Sequence, residues 1–333
     1  MREAAWGRAL HALVEEGMLD VNAVLAGAVE IEQASRSNHV GVVRLDDQPI
    51  FVLKRNHIAV DHVHPFAAEV AAYRWLASDR DRATLAPLLL AVVADDVMVL
   101  EHVADAQSFG DAFVASPADQ TALLSNLGRQ LGTLHSSPSD HECLSERRPW
   151  VLGLPRGVVP DIFASDPEIA AMVGDIGASP GLRAALEELE SRWAPLVPCH
   201  GDVKFDNIVL GTVGRSRGER RMWLLDWEFA GLGLPAWDLA GVVDGLVVPA
   251  LVSFDVTTAL HQAACAQPVL DAYRATAGLE LAPDWREILL ATVARLAQSA
   301  LQLCAMREEP TDSDVTSRLV LQGAMELSLE LAA

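Results

Sequence analysis

The chain has 333 residues, of which 51% are hydrophobic, and it carries a formal net charge of −21. This composition supports a substantial core and excludes wholesale disorder, and the length fits one large domain or two lobes that share a cleft. The negative charge excludes nonspecific binding to nucleic acid, whose phosphates it repels, and it serves either solubility or a preference for a cationic acceptor.

The cysteines and the hydropathy of the chain indicate a reducing compartment. The four cysteines, none in a C-x-x-C pair, are Cys143, Cys199, Cys265 and Cys304. Their wide separation argues against a disulfide framework or a zinc site and favours reduced cytosolic thiols. The N-terminus shows no signal-peptide pattern, and no uncharged apolar run reaches the roughly 18–20 residues that span a bilayer. We therefore expect a cytoplasmic protein without a membrane or nucleic-acid partner.

The first third of the sequence predicts a small antiparallel sheet with one helix packed on it. The predicted strands are Val29–Gln33, 40–45, 50–54, 88–93 and 97–103. Turns at 46–49 and 95–96 join the second strand to the third and the fourth to the fifth, as in two hairpins. Apolar residues at helical spacing predict an opening helix over 6–14 and another over 66–77. We expect these elements to form an N-terminal nucleotide-binding lobe over 1–103.

The remainder predicts a mostly helical lobe over 104–333 that binds the acceptor and carries the catalytic residues. The helices predicted in it are 118–135, 182–193, 239–252, 285–306 and 315–331. Three or four helices are expected to close the chain, and a short hairpin is expected to pair 208–210 with 222–225. Residues 136–165 are rich in Ser, Pro, Arg and Gly and predict a long irregular connection of a kind that is often functional. The expected fold class is α+β.

The strongest chemical signal is the motif CHGDVKFDN at 199–207, followed by LLDWE at 224–228. Phosphoryl transfer needs an oriented acceptor hydroxyl, a group that takes its proton, and magnesium ions that neutralise the phosphates. Asp202 can accept the proton, and Asn207 and Asp226 can supply the oxygen ligands that Mg²⁺ prefers. A lone Asp in a loop is usually a turn residue, but the joint spacing is much harder to obtain by chance.

Together with GLPAWDLA at 233–240, these motifs resemble the aminoglycoside phosphotransferase/choline kinase superfamily, relatives of the protein kinases. The resemblance covers roughly residues 25–300 and implies a bilobal kinase-like fold. It implies that Asp202 is the catalytic base, that Asn207 and Asp226 bind magnesium, and that ATP is the phosphoryl donor, with GTP left open. It also implies that Asp238 braces the catalytic loop, so we expect Asp238 to be buried and hydrogen-bonded.

Two residues of the N-terminal part agree with this resemblance. Lys54 ends the predicted strand FVLK, like the strand that presents the phosphate-binding lysine of kinases. Glu69 lies on the next predicted helix, where an ion pair with Lys54 would hold the ammonium group in place. Taken alone, Lys54 would be a solvated surface charge, but the downstream motif favours a role at the phosphates.

Four further residues are expected to contact the nucleotide. Ser35 and Ser37 lie in the loop 34–41, which contains a single glycine where kinases often have a glycine-rich phosphate loop. Their hydroxyl groups and the backbone amides can still cradle phosphate. Glu101 and Val103 end the second predicted hairpin, where kinases hold the adenine by backbone hydrogen bonds.

Lys204 follows Asp202 by two residues, as a lysine does in Ser/Thr protein kinases. A cation there would stabilise charge on the transferring phosphoryl group, and the alternative is a lysine that points into solvent. We therefore include Lys204 with Asp202 among the catalytic residues. RPWVL at 148–152 and the 202–207 segment are also similar to actinobacterial kinases of ribosomal-peptide biosynthesis, in the class V lanthipeptide and thioamitide branch.

That second resemblance implies a Ser or Thr of a precursor peptide as the acceptor, with a partner lyase that later eliminates the phosphate. One alternative is a small-molecule acceptor, such as an aminoglycoside or another natural product, as in antibiotic modification. Another is a pseudokinase or binding module that keeps the fold without turnover. The presence of Lys54, Glu69, Asp202, Asn207 and Asp226 argues against the last of these.

Overall fold

The structure is a computed structural model, and it describes residues 2–34, 39–55, 65–94, 96–138, 143–163, 166–194, 196–212, 220–305 and 312–332. The chain forms two compact units, Met1–Gln107 with Val209–Phe229 and Ser108–Ile208 with Ala230–Ala333. The lobes expected from the sequence, 1–103 and 104–333, differ from these units mainly in residues 209–229, which group with the first unit.

Strands are concentrated in the first third of the chain, and helices dominate the rest. The strands are β1 (Val29–Gln33), β2 (His39–Leu45), β3 (Gln48–Arg55), β4 (Leu89–Val93), β5 (Val97–Glu101), β6 (Ala104–Ser108), β7 (Val197–Cys199), β8 (Ile208–Thr212), β9 (Arg220–Leu224) and β10 (Gly231–Gly233). The α-helices are α1 (Arg2–Glu15), α2 (Val21–Leu25), α3 (Pro65–Ala77), α4 (Phe109–Ala115), α5 (Gln120–His135), α6 (Pro167–Ala178), α7 (Pro180–Ser191), α8 (Pro235–Ser253), α9 (Val256–Ala264), α10 (Gln267–Ala277), α11 (Trp285–Ala305) and α12 (Asp312–Ala332). Short 3-10 helices lie at Arg82–Thr84, Pro117–Asp119, Trp150–Arg156, Asp161–Phe163, Phe205–Asn207 and Trp227–Phe229.

The first unit contains a five-stranded antiparallel sheet in the order β1-β2-β3-β5-β4. Both predicted hairpins, β2–β3 and β4–β5, are confirmed. Asp46 and Asp47 join β2 to β3 with φ angles of 50° and 62°. Two consecutive residues with positive φ form the turn whose twist matches that of the flanking strands, which explains the tight connection. The expected α+β fold class is confirmed.

The core of the first unit lies between α1 and this sheet. Ala9 and Leu13 of α1 are fully buried together with Val43, Leu53 and Val99 of the strands. The helical spacing of apolar residues in α1 presents one face to the sheet, and burial of that face stabilises the helix.

A second, three-stranded sheet in the order β6-β8-β9 was not expected in this form. The sequence predicted one strand over 97–103, whereas β5 ends at Glu101 and β6 begins at Ala104. Gly211 of β8 explains the close approach of the two segments. A Cβ atom on Gly211 would lie 2.3 Å from Val103 Cγ1 and 2.7 Å from the Ala104 carbonyl oxygen, so a larger residue would not fit.

The second unit is built around the long helices α8 and α11, whose residues Val243, Ala294 and Leu296 are fully buried. Both helices are long and apolar enough to cross a membrane by composition. In each, however, 67% of the apolar window is buried inside the protein, as expected for helices that form a core. The predicted helices over 285–306 and 315–331 correspond to α11 and α12.

Several predicted helical boundaries were wrong. The helix predicted over 118–135 begins at Gln120, because Pro117–Asp119 forms a 3-10 turn before it. The helices α2, α4 and α6 were missed, and the described part of the chain has the helices α8 to α12 after β10, where three or four were expected. Within the connection expected over 136–165, the described residues include 3-10 helices at Trp150–Arg156 and Asp161–Phe163, and Val151 and Leu152 of the first are fully buried.

The short strands β7 and β10 position the motif at 199–207. They pair antiparallel, with Cys199 opposite Gly231. Because β7 ends at Cys199, the residues from His200 onward leave the sheet as a loop and lead into the 3-10 helix Phe205–Asn207. The loop is therefore anchored at both ends by regular structure.

Candidate active site

The first unit brings Lys54, Glu69 and Asp226 together. Lys54 is 5% exposed near the end of β3, and Glu69 of α3 is fully buried. The Lys54 Nζ atom lies 2.7 Å from Glu69 Oε1 and also donates a hydrogen bond to Asp226 Oδ1. Glu69 Oε1 additionally accepts a hydrogen bond of 3.2 Å from the Trp227 amide. The expected ion pair between Lys54 and Glu69 is present, and it links β3, α3 and the segment after β9.

The electrostatics of this cluster keep the lysine charged. Burial lowers the pKa of Lys54, but the negative charges of Glu69 and Asp226 raise it more, so the net shift is upward. A buried ammonium group with two carboxylate partners is suited to bind anionic phosphate oxygens without losing its proton.

Asp226 has a positive φ angle, and one of its carboxylate oxygens accepts no hydrogen bond from the described residues. Its φ of 66° lies in the left-handed region, which is uncommon outside glycine but more frequent for aspartate. Lys54 occupies Oδ1, and among the described residues nothing donates a hydrogen bond to Oδ2. The side chain is 21% exposed, so Oδ2 is available to a ligand.

The second unit contains the loop 199–207, which is held by Asp238 at the start of α8. Asp238 is fully buried. Its Oδ2 accepts a hydrogen bond of 2.7 Å from the His200 amide, and its Oδ1 accepts one of 2.8 Å from the Gly201 amide. Gly201 has a φ of 84°, where a side chain would be strained. The expectation that Asp238 is buried and hydrogen-bonded is confirmed.

A buried polar network supports Asp238 from behind. The His135 ring contacts Asp238 Oδ2 through Nε2 at 3.1 Å and the Tyr273 hydroxyl through Nδ1 at 3.0 Å. Burial alone raises the pKa of Asp238, but the hydrogen bond and charge of His135 and the His200 amide lower it below its ordinary value. The carboxylate is therefore ionised and can accept both loop amides as charge-assisted hydrogen bonds.

His135, Cys199 and Asp238 also have ligand atoms within 4.8 Å of one another, as in some metal sites. A thiol must lose its proton to bind a metal. Burial and the neighbouring charge of Asp238 raise the pKa of Cys199 well above its ordinary value, and Asp238 already accepts hydrogen bonds at both oxygens. The arrangement therefore fits a hydrogen-bond network rather than a metal centre.

Asp202 lies in this loop with two partners of the same motif. Its Oδ2 atom accepts hydrogen bonds from Lys204 Nζ at 2.7 Å and from Asn207 Nδ2 at 3.0 Å. Asn207 Nδ2 also donates to the Asp202 carbonyl oxygen at 3.0 Å. The side chain of Asp202 is 22% exposed and that of Lys204 is 48% exposed. The spacing of the motif therefore gathers three of the expected residues around one carboxylate.

Sequence reasoning missed Arg295, although this residue lies beside the same carboxylate. It is a 7% exposed residue of α11, and its Nη2 atom is 3.9 Å from Asp202 Oδ1. Its Nε atom donates to Asp244 Oδ2 at 2.6 Å. The signal that could have found the pair is a charged residue near the middle of each of two apolar helices, because such charges are buried only with a partner.

The sequence predicted four other residues to bind the nucleotide. Glu101 ends β5, where its amide donates to the Leu88 carbonyl at 2.8 Å, and Val103 is buried two residues later. Ser35 and Ser37 lie outside the described residues. The roles of all four in nucleotide binding stay predictions.

Asn207 in the second unit and Asp226 in the first unit each keep an oxygen of the kind that Mg²⁺ prefers, and their role as metal ligands stays a prediction. The amide nitrogen of Asn207 is used by Asp202, which leaves its amide oxygen as the atom that can bind a cation. Asp226 offers Oδ2, as described above. Amide and carboxylate oxygens are the hard ligands that Mg²⁺ prefers.

Asp238→Ala is expected to destabilise the second unit strongly. Removing the carboxylate leaves the His200 and Gly201 amides and the His135 ring without their acceptor, and the loss is expected to be about 3–5 kcal/mol in the free energy of unfolding. Urea unfolding measures it. The control is Asp271→Ala, which removes an exposed carboxylate that accepts from Gln267, and its effect should stay within about 0.5 kcal/mol. Equal losses in the two variants would show that Asp238 does not brace the loop.

Comparison with known proteins identifies the family of the chain. The sequence profile of the phosphotransferase enzyme family (APH) matches residues 30–288. Choline kinase LicA from Streptococcus pneumoniae is similar in fold, with a TM-score of 0.60 and 14% identity over 94% of this chain and 99% of that chain. Macrolide 2′-phosphotransferase MphH from Brachybacterium faecium gives a TM-score of 0.53 and 18% identity over 92% and 98%. No curated protein matches the chain.

A third similar structure is amicoumacin kinase hAmiN in complex with AMP-PNP, Ca²⁺ and Ami, with a TM-score of 0.58 and 14% identity over 95% of each chain. At these identities the structures show a shared fold, and the profile shows the family because it covers most of the chain. The matched span includes Lys54, Asp202, Asn207, Asp226 and Asp238. The chain therefore belongs to the phosphotransferase enzyme family and is a kinase that transfers a phosphoryl group to a hydroxyl acceptor.

Proposed function

We propose that this kinase uses ATP and Mg²⁺ and that Asp202 accepts the proton of the acceptor hydroxyl. The observation that carries the proposal is the setting of Asp202, a partly exposed carboxylate oriented by Lys204 and Asn207 in a loop that Asp238 braces. A general base must be fixed in orientation and open to the substrate at the same time. The similar structure with AMP-PNP and a divalent cation supports an adenine nucleotide and a metal.

Each residue has a separate task in this mechanism. The Asp202 carboxylate takes the proton of the acceptor hydroxyl as the hydroxyl oxygen attacks the γ-phosphorus. The bond between the γ-phosphorus and the oxygen that bridges it to the β-phosphate breaks, and ADP leaves. Lys204 supplies a positive charge beside the base, and Lys54 supplies one for the phosphates of the nucleotide. Asn207 and Asp226 would hold Mg²⁺, which neutralises charge on the phosphates when it is bound.

For the acceptor, a small-molecule hydroxyl is better supported than it was by the sequence alone. The similar solved structures include enzymes named for choline, ethanolamine, a macrolide and amicoumacin. The net charge of −21 favours a cationic acceptor among these classes. A natural product with an amino group beside the reacting hydroxyl fits both observations.

The Ser or Thr hydroxyl of a precursor peptide is the second candidate. It is favoured by Lys204, which contacts the base at 2.7 Å, because Ser/Thr protein kinases have a lysine at this place. This candidate includes a partner lyase that eliminates the phosphate. A cytoplasmic location is proposed for either acceptor, and it is supported by the four cysteines, none of which forms a disulfide.

One screen distinguishes the two candidates. The enzyme is incubated with ATP and magnesium and with separate pools of aminoglycosides, macrolides, amino alcohols and Ser/Thr peptides, and products are detected by a mass increase of one phosphoryl group. Phosphorylation of small molecules alone would assign the first acceptor class, and phosphorylation of peptides alone the second. If no pool is phosphorylated and ATP is not hydrolysed, the proposed kinase activity is wrong.

Lys204→Ala is expected to lower kcat by about 10–100-fold and to change nucleotide affinity by less than about threefold. The reason is that a cation next to the base interacts most strongly with charge that develops in the transition state. Steady-state kinetics and calorimetric nucleotide titration separate the two effects. Lys204→Arg should keep part of the rate because it keeps the charge.

The sequence offers an independent readout, because Lys54 and Lys204 are the only lysines of the chain. An acylating ATP analogue that attacks amines should therefore modify lysine side chains at these two positions alone, and peptide mass spectrometry identifies them. If kcat is unchanged in Lys204→Ala and Lys204 is not modified in the native enzyme, this lysine points into solvent and takes no part in catalysis.

A further inference from the structure

Arg295 connects the helical core of the second unit to the catalytic loop. Its Nε atom donates to Asp244 Oδ2 at 2.6 Å, and its Nη2 atom donates to the Val203 carbonyl oxygen at 2.9 Å. Val203 directly follows Asp202, and its side chain is fully buried. One guanidinium group therefore fixes the backbone at the residue next to the proposed base.

The same guanidinium also contacts the other side of the loop through an aromatic ring. It lies 5.2 Å from the centre of the Trp237 ring, within the range of a cation–π interaction. The Trp237 indole donates a hydrogen bond of 2.9 Å to the Gly201 carbonyl oxygen. Arg295 thus supports the residues on both sides of Asp202, directly at Val203 and through Trp237 at Gly201.

The guanidinium has little room to move. A Cβ atom on Gly241 of α8 would lie 2.0 Å from the Val203 carbonyl oxygen and 3.0 Å from Arg295 Nη2. The absence of a side chain at Gly241 therefore permits the contact between Arg295 and Val203. Close packing of this kind leaves the guanidinium group few alternative positions.

The two oxygens of Asp202 differ in their surroundings. Oδ2 accepts hydrogen bonds from Lys204 and Asn207. Oδ1 accepts none from the part of the chain that the structure describes, and Arg295 Nη2 lies 3.9 Å from it. Oδ1 is therefore the oxygen that can meet an acceptor hydroxyl, and Arg295 lies beside it.

A role of the Arg295–Asp244 ion pair in stability alone explains these contacts less well than a role in positioning Asp202. Burying two charges costs desolvation energy, and apolar residues of similar size often stabilise a protein as much or more. Asp244 is a weak partner in this respect, because its Oδ1 atom is buried and has no hydrogen-bond partner among the described residues. Burial raises the pKa of Asp244 to about 6 although Arg295 lowers it. The pair is therefore poorly optimised for stability, whereas its position beside Asp202 is suited to catalysis.

We propose that Arg295 is a positioning residue for the transfer reaction, which holds Asp202 with Oδ1 directed to the acceptor hydroxyl, and that Asp244 holds Arg295 in place. The proposal rests on the assignment of Asp202 as the base. It adds to the catalytic motif a residue of α11, more than ninety positions further along the chain.

The test compares rate with stability in variants of this pair. Arg295→Met is expected to lower kcat by about 100-fold, the size of loss that a misplacement of about 1 Å produces. The KM for ATP should change by less than about threefold, because Arg295 contacts the loop and not the nucleotide-binding cluster. The reaction measured is magnesium-dependent ATP hydrolysis with water as acceptor, or transfer to the acceptor found by the screen.

Two further variants separate positioning from folding. Arg295→Met combined with Asp244→Leu removes both buried charges, so its Tm should return to that of the native enzyme or above while kcat stays low. Arg295→Lys keeps a charge for Asp244 but loses the second N–H, so it should fold and show an intermediate rate. The control is Arg286→Met on the same helix, which removes an exposed ion pair with Glu188 and should keep the full rate.

Two results would overturn the positioning role of Arg295. One is recovery of kcat together with Tm in the double variant, and the other is a loss in Arg295→Met no larger than in Arg286→Met. Asp202→Asn is assayed alongside. If it keeps the native rate, the assignment of the base is wrong; if it is inactive while Arg295→Met is fully active, only the inference about Arg295 is wrong.

Discussion

Asp202→Asn is expected to lower the rate of phosphoryl transfer by at least about 1,000-fold, within the range that general-base catalysis contributes. The substitution keeps the size of the side chain and one oxygen that can accept from Lys204 or Asn207. It removes the ability to take a proton from the acceptor. Nucleotide affinity should change by less than about threefold, because the cluster expected to bind phosphates is Lys54 with Glu69 in the first unit.

The matched control for this variant is Asp206→Asn. Asp206 lies in the same motif, is exposed, and loses the same charge on substitution. Its rate should stay within about twofold of the native rate, as for most surface positions. Rates at saturating ATP and acceptor, together with calorimetric titration of ADP, measure both quantities. A near-normal kcat in Asp202→Asn would show that another group accepts the proton.

The fold of the first unit was largely predictable because its signals are local. Short runs rich in Val, Ile, Leu and Phe mark β2 and β3, and the Asp46-Asp47 turn between them follows from the tolerance of aspartate for positive φ. The strands β7 and β10 were missed, because three residues each are too few to show a period of two. Their pairing depends on Cys199 and Gly231, which are more than thirty residues apart, and only the folded chain shows it.

The part of the candidate site whose residues lie close together in the sequence was predictable. The motif at 199–207 indicated Asp202, Lys204 and Asn207, and the structure places them around one carboxylate. Arg295 was not predictable in the same way, because no sequence spacing connects an arginine of the apolar helix α11 to Asp202. Its role follows only from three-dimensional contacts with the Asp202-Val203 backbone.

A second large effect is expected at the proposed magnesium ligands. Asp226→Ala should lower the rate at about 1 mM free magnesium by at least about 1,000-fold, because it removes a full negative charge from the ligand set. It also leaves Lys54 with Glu69 as its remaining carboxylate partner. Asn207→Ala should weaken magnesium binding less than Asp226→Ala does, because a neutral amide oxygen attracts the cation more weakly than a carboxylate.

The two variants should respond differently to added magnesium. Raising free Mg²⁺ compensates for weaker binding by mass action, so part of the metal-binding defect should be recovered in each. Asn207→Ala should keep a residual defect at saturating magnesium, because it also removes the two hydrogen bonds that orient Asp202. Rates measured over a series of free magnesium concentrations separate the metal requirement from the maximal rate.

Asp96→Ala provides the control for the loss of a carboxylate in the first unit. Asp96 forms an ion pair of 2.5 Å with Arg55 and loses the same charge, but it lies outside the Lys54 cluster. Its magnesium requirement should match that of the native enzyme, because a charge removed outside the ligand set weakens the site only through screened, long-range attraction. If Asp226→Ala were as active as Asp96→Ala at low magnesium, Asp226 would not be a metal ligand, and its contact with Lys54 would be its whole function.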